Sequence, residues 1–422
     1  MTDRSSPRLT NPWLVLALLL LIYIFNFADR YLLTGLVGPI KEEFGVGDGF
    51  MGLLMGPAFV VLYVLCGVPI ARLADRSSRV RIIAAGCVMW SISTAATGFA
   101  TGPTGLALAR LGVGIGEAAF VAPAYSLLTD YFRAERRGLV FAILGLATYF
   151  GQIAGQGGGP ALAEVYGWRT TFWVMGAPGI VAGGLLLALV REPPRNVVVD
   201  RSNQISFRAM LAELRKSRAF LLMMGAFGLG SLSGVAFGYW GPELFARAYG
   251  VSSVDAKGTF ALYFGTAGLL GMLSFGAIVD KYARGGLAGP VLMSAGALLA
   301  ATACIIMVTW APSIEVAKLL AIPSGLLGGG WAIGFYAALQ GMLPERYRAS
   351  ATALFIAVIT LIGYFIGPSL SGAISEGLGN NAHSLRIGLS VTIPAGFVAA
   401  GLAWAAARWI EPDQAMLNRP MP

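Results

Sequence analysis

The chain is poor in the side chains that do chemistry in water. Among its 422 residues it has one histidine, three cysteines and 21 acidic residues, and only 12 % of the chain is charged. A soluble domain of this length is nearer a quarter charged, so a soluble globular fold is excluded. Cys66, Cys87 and Cys304 all fall inside apolar runs, without metal-ligand spacing or a disulfide framework, so neither a metal nor a cofactor is expected. A membrane-embedded enzyme would need a nucleophile–base or metal constellation. The lone His383, in a polar loop, and the scattered cysteines argue against one. No Gly-x-x-x-x-Gly-Lys-Ser/Thr loop is present, so ATP is not expected to drive the protein. No cleavable leader is evident either, because the first apolar run is too long for one and no small-residue cleavage site follows it. The formal charge is +9, but the basic residues lie between apolar blocks rather than on one face, which argues against a nucleic-acid partner.

What the chain has instead is apolar length. It is 56 % hydrophobic, with a mean hydropathy of +0.72. Its apolar residues come in blocks of about 20, the length that crosses a bilayer as a helix. Twelve spans are predicted, roughly at 12–37, 50–71, 80–100, 103–130, 138–162, 170–191, 219–243, 257–279, 288–310, 317–341, 350–374 and 386–408. The expected fold is an all-α membrane protein of two six-helix bundles, at 12–191 and 219–408. Short tails at 1–11 and 409–422 flank them, and a linker at 192–218 joins them. The linker opens with Glu192-Pro193-Pro194 and is rich in arginine. Within it Ser206 is placed to cap a short helix with Phe207, Met210, Leu211 and Leu214 on one face, lying at the membrane surface. Of the 30 Lys and Arg residues, Arg30 and Arg110 lie within spans. Six lie in loops of one side: Lys41, Arg169, Arg247, Lys257, Lys318 and Arg386. The other 22 lie on the side of the tails and linker, which makes that side cytoplasmic and both termini inside.

The two halves repeat. Ala71-Arg72-Leu73-Ala74-Asp75-Arg76 matches Gly276-Ala277-Ile278-Val279-Asp280-Lys281, Glu135-Arg136 matches Glu345-Arg346, and Gly159-Pro160 matches Gly367-Pro368. The offsets are 205, 210 and 208 residues. Parallel repeats of six helices are the arrangement of a two-bundle transporter with its site at the midplane between bundles. The two Gly-Pro pairs free backbone groups and are expected to act as bending points.

The first span carries Asp29 and Arg30 side by side. A charge within such a helix costs roughly 2.5–3.5 kcal/mol on insertion scales and usually faces a cavity or an opposite charge. The fourth span carries Arg110 and Glu117, seven residues apart. They share one face, about 10.5 Å apart along the axis. Between them Gly112 and Gly116 form a small-xxx-small pair that admits a neighbouring helix. The four charges sum to zero; uncompensated, they would together cost roughly 10–14 kcal/mol, as much as a whole domain's stability. They must pair, face water or change protonation. Adjacent helical residues point about 100° apart, so Asp29 and Arg30 do not simply neutralise each other. A static cluster that fixes the packing of helices one and four is the competing reading. A carboxyl that loses its arginine as a cavity closes can load and release a proton, because burial and the arginine act oppositely on its affinity. Asp29 and Glu117 are therefore the candidate proton carriers. The planar fork of arginine suits phosphate or carboxylate, which makes Arg30, with Arg110, the candidate for an anionic group. The second half offers Tyr239, Trp331, Tyr336, Gln340 and Tyr364 instead of charge. A path charged on one wall and apolar on the other suits an amphiphile.

Several of these segments resemble the major facilitator superfamily. Asp75-Arg76 with Arg79 is similar to its loop signature Gly-x-x-x-Asp-Arg-x-Gly-Arg, though Ala71 and Ser78 stand where glycines are usual. Arg110-x-Gly112-x-Gly114 resembles its fourth-helix signature, and the Gly/Pro-rich end of span five its fifth-helix one. More narrowly, Asn26-Phe27-Ala28-Asp29-Arg30 with Arg110-Leu111-Gly112-Val113-Gly114-Ile115-Gly116-Glu117-Ala118 looks like the Spinster family of lipid transporters. Organic-anion symporters of the superfamily carry similar residues in helices one and four. The resemblance implies a cytoplasmic latch at Asp75, Arg76 and Arg79, meeting Arg133, Arg136 and Arg137 or a helix end of the other bundle. That latch would hold the outward-open state, with Asp280 and Lys281 a weaker counterpart. It also implies a sphingoid-phosphate or lysophospholipid substrate. The expectation is a monomeric, proton-coupled carrier of an amphiphilic anion working by rocking bundles. The alternatives are a symporter of a small organic anion, such as a sugar acid or carboxylate, and outside carriers a channel.

Overall fold

A computed structural model describes residues 10–74, 76–193, 207–344 and 348–419, apart from the side chains of residues 134, 207 and 349. Asp75, Ser206, Glu345, Arg346 and the middle of the linker lie outside the described residues. Helix is the regular structure found throughout the described residues. Eleven helical stretches are long and apolar enough to cross a membrane, and the longest, Glu135–Leu189, has 55 residues. It breaks at Gly167, whose φ of 80° suits glycine alone, and so supplies two spans. The spans are α1 (Pro12–Gly35), α2 (Asp48–Ala74), α3 (Arg79–Thr97), α4 (Pro103–Tyr131), α5 (135–166) and α6 (168–189) in the first bundle. The second bundle holds α7 (Arg218–Ala248), α8 (Ser253–Ala283), α9 (Ala288–Thr309), α10 (Ile314–Met342), α11 (Ser350–Gly377) and α12 (Ala382–Ala407).

The helix starts follow from local chemistry. Asn11, Ser78, Ser217, Ser252 and Ser313 each accept a backbone N–H of the first turn. Asn381 and Ser384 form a reciprocal capping box at α12.

Glycines set how closely helices approach. A Cβ at Gly116 would stand 2.6 Å from the Trp90 nitrogen and 2.9 Å from the Gly86 carbonyl oxygen, and one at Gly112 would stand 2.5 Å from Ser93 Oγ. So α3 lies directly on the glycine face of α4. The internal repeat is visible in the backbone. A π-turn at Ile153–Gly158 immediately precedes Gly159-Pro160 in α5, and one at Leu361–Ile366 precedes Gly367-Pro368 in α11. Beside these turns Gly155 lies against α1 and Gly363 against α7, at equivalent places in the two halves.

Between the bundles α2 and α11 run backbone to backbone. A Cβ at Gly52 would lie 2.6 Å from the Pro368 carbonyl oxygen, and one at Gly56 2.5 Å from that of Tyr364. Every hydrogen bond and ion pair joining the bundles, among the described residues, lies between the middle of the molecule and the face opposite the chain ends. On the face of the chain ends the second bundle is braced by the linker helix (Phe207–Leu214) and a C-terminal helix (Ile410–Leu417). Met210, Leu214, Ile410 and Leu417 share its core. Buried Asp413 accepts Ser217 Oγ at 2.9 Å and the Ala219 amide at 2.7 Å, holding the start of α7.

Valine at Gly116 forces α3 and α4 apart, with no flexible side chain to absorb the change. Thermal unfolding of the purified variant should show a loss of about 1–3 kcal/mol, the usual cost of overpacking, whereas Gly138→Ala, in open space, should unfold like the parent.

Candidate substrate site

The site is where α1 meets α4. Asp29, Arg30, Arg110 and Glu117 are all buried, Glu117 completely. The charges pair crosswise: Arg30 donates to Glu117, and Arg110 lies 3.7 Å from Asp29. Helix α4 is interrupted just after Glu117, at residues 118–120, so the carboxylate sits at a break in the helix. Phe59 of α2 lies between the two cations, its ring 4.4 Å from the Arg30 guanidinium carbon and 5.9 Å from that of Arg110. Phe27, Tyr63 and Tyr364 complete an aromatic surround for Arg30 at 5.2, 5.6 and 5.8 Å. A desolvated guanidinium gains from such faces. Tyr364 belongs to the second bundle, so the surround crosses the interface. It continues through Tyr239, 5.8 Å from Tyr364 and 5.6 Å from Tyr31.

These residues carry most of the molecule's unmet hydrogen-bonding capacity. Of twelve buried side-chain polar atoms without a protein hydrogen bond among the described residues, eight belong to Asp29, Arg30, Arg110, Glu117 and Tyr239. Thr94 neighbours Asp29 but donates to the Trp90 carbonyl at 2.9 Å. Such a concentration in one place makes these residues the candidate site.

The other expected residues divide. Tyr239 and Tyr364 join Arg30, but Trp331 and Tyr336 gather on Phe227 of α7, and exposed Gln340 donates to Thr352 at 3.1 Å. Arg79 is buried and bound within its own bundle, to Asp130 at 2.5 Å, Glu192 at 2.7 Å and both oxygens of Ser126. Arg137 donates to the Thr129 and Phe132 carbonyls, while Arg76, Arg133, Arg136, Asp280 and Lys281 are exposed. None of these joins the bundles through a described residue.

The closure on the opposite face was not anticipated. Asp48, fully buried at the start of α2, takes both terminal nitrogens of Arg247 at 2.8 Å, together with Lys41 and Ser375 Oγ. Arg247 also donates to Glu243 at 2.8 Å, whose other oxygen faces Lys257 at 3.1 Å. Gly47, which precedes α2, offers no capping side chain. The second bundle supplies the caps: Asn380 accepts the Asp48 amide at 2.8 Å and Glu376 the Gly49 amide at 2.6 Å. Nearby, Glu43 accepts Arg169 and Trp168, which hold its carboxyl below the usual range.

The description Major Facilitator Superfamily matches residues 19–368. The chain belongs to the major facilitator superfamily. Among curated relatives, this transporter is 29 % identical over 390 residues to an MFS-type efflux pump of Mycolicibacterium smegmatis, covering 90 % of this chain and 89 % of that one. It is also 29 % identical to human protein spinster homolog 1, over 87 % of this chain and 74 % of the relative. The zebrafish (Danio rerio) sphingosine-1-phosphate transporter SPNS2 is 29 % identical, over 84 % and 74 %. A crystal structure of a bacterial homolog of the human lysosomal transporter Spinster, inward-facing and unoccupied, superposes with a TM-score of 0.85 at 25 % identity, covering 98 % of this chain and 99 % of that one. The occupied form gives 0.83. The transporter is therefore Spinster-like, an integral multi-pass membrane protein and not an enzyme.

Asp48→Asn leaves Arg247 and Lys41 underpaired at the closed face, a costly state for buried charge. In a variant lacking the native cysteines, labelling of Leu244→Cys by an impermeant maleimide from that face should rise at least tenfold with Asp48→Asn. Glu43 gives a pH signature. Its lowered affinity for protons stabilises the fold above the ordinary carboxyl range, and the gain is lost as pH falls through the folded value. The melting temperature of Glu43→Gln should therefore fall below the parent's at neutral pH and converge with it in acid.

Proposed function

We propose that this Spinster-like transporter is proton-coupled and carries an amphiphilic anionic lipid, of sphingoid-phosphate or lysophospholipid type, by rocking of its two bundles. The observation that carries the reading is the crosswise pairing of Arg30 with Glu117 and of Arg110 with Asp29 inside an aromatic surround shared by both bundles. An anionic headgroup competes with Glu117 for Arg30. The carboxyl that loses its arginine in an apolar setting then takes a proton, which ties headgroup binding to protonation. The apolar tail lies toward the rings of Tyr239 and Tyr364. The similarity to the zebrafish sphingosine-1-phosphate transporter supports the same substrate chemistry.

With the basic face placed in the cytoplasm, the molecule is closed outside and parted inside, the state named for the bacterial relative. Arg76, Arg133 and Arg136 are exposed and bond to no described residue of the other bundle, which suits that state, since their latch would form when the inside closes. The glycine seam between α2 and α11 is then the outer closure that opens in the other half of the cycle.

The test is flux in proteoliposomes under an imposed pH gradient, comparing a lysophospholipid with a sugar acid. The lysophospholipid should move with the gradient and the sugar acid should not; the reverse result replaces the lipid with a small organic anion. Asp29→Asn should fold normally, lower gradient-driven flux at least tenfold and flatten the pH profile. An unchanged profile removes Asp29 from the coupling.

A further inference from the structure

Midway between the site and the outer closure lies a polar chain that joins three helices. The π-turn of α5 presents Gln156, fully buried, with its side-chain nitrogen 2.8 Å from the Gly238 carbonyl oxygen of α7 and 2.9 Å from Thr34 Oγ1 of α1. Gln152, one turn earlier, donates to Gln156 Oε1 at 3.0 Å, and Thr34 Oγ1 passes its own hydrogen to the Tyr31 carbonyl at 2.7 Å. The Gly238 carbonyl is available for a structural reason. In an unbroken helix it would receive the amide of residue 242, but that residue is Pro242, which has no N–H. A side chain of one bundle thus occupies the place of a missing intrahelical donor in the other. The neighbours tie this contact to the site: Gly238 precedes Tyr239, and Tyr31 follows Arg30.

We infer that Gln156 is a positioning residue of the transport cycle. In this inference the π-turn of α5 and the proline break of α7 form one latch, closed when the outer face is closed and parted when it opens. The inference rests on the rocking-bundle reading above. A buried, neutral hydrogen bond between bodies that separate is strong enough to bias a population and weak enough to break each cycle. Its position lets a guest beside Tyr239 disturb it. The two helices contribute unlike parts, since the π-turn supplies reach and the proline supplies a vacant acceptor. The second half has no such glutamine in either of its π-turns, Ala261–Gly265 and Leu361–Ile366, and at the latter Gly363 and Gly367 pack against α7; the latch is single and asymmetric.

The test measures distances between spin labels at Glu42→Cys and Leu378→Cys, exposed positions on the two bundles at the closed face, in the full chain lacking its three native cysteines and held in nanodiscs. The parent should give a dominant short distance and a minor long one. Gln156→Met removes both donors while keeping length, and should raise the long-to-short ratio between about twofold and tenfold. Pro242→Ala restores the amide partner, draws the Gly238 carbonyl back along α7, and should raise the ratio in the same direction. The double variant should exceed neither single by more than experimental scatter, because both remove one contact. An unchanged ratio in either single, or effects that multiply in the double, overturns the latch. If Gln156→Met does not fold, Pro242→Ala alone decides. A single unvarying distance in the parent, with and without lysophospholipid and a pH gradient, instead defeats the rocking reading and the latch with it.

Discussion

The first and fourth helices are arranged around four buried charges. Left uncompensated, they would together cost roughly 10–14 kcal/mol, as much as a domain is stable by. The fold meets that cost by crossing the partners, so that each arginine of one helix answers a carboxylate of the other. Phe59 separates the two cations while offering a face to each. The compensation is incomplete, as the unmet atoms of Arg110 and Asp29 show.

The opposite face handles charge differently. There Asp48, Glu243, Arg247 and Lys257 form a nearly saturated chain of ion pairs with helix caps supplied across the interface. Glycines on α2 let the backbone come close enough for those caps to reach. Saturation suits a closure and incompleteness suits a binding site, and the two are stacked along one interface. Among the described residues the face of the chain ends shows neither arrangement between the bundles, and two of its buried polar side chains, Arg79 and Asp413, brace helices on their own side.

Much of this was legible in the sequence because the physics is local. Apolar length gave the spans, and charged residues inside the first and fourth runs stood out against oil. The paired Gly-Pro dipeptides mark helices that both carry π-turns, although nothing in the dipeptides says that the turn is π. The crosswise pairing was not legible, because the spacing within a helix fixes which residues share a face but not which helix faces them. The same limit hid Phe59 and Tyr63, ordinary aromatics four apart on an apolar helix, and the packing of Trp331 and Tyr336 on Phe227. Lys41, Arg247 and Lys257 were counted only as sparse loop charges, since the pairing of Arg247 with Asp48 spans 199 residues and links Lys41, on Asp48, to Lys257, on Glu243. The C-terminal helix was read as a tail because eight residues with three acidic or amide side chains carry too little apolar pattern.

The duplicated π-turns have a geometric consequence. A turn of this kind holds one residue more than an α-helical turn, so everything beyond it is rotated by about 100° relative to an uninterrupted helix. In α5 and α11 the stretch before the turn and the stretch after it therefore present different faces to the same neighbour. Removing one residue from either turn would restore regular helical winding, yet would swing the far half around the axis and carry Pro160 or Pro368 away from the surface it now meets. The register of half a helix hangs on a single surplus amino acid, twice over and at matching points 208 positions apart.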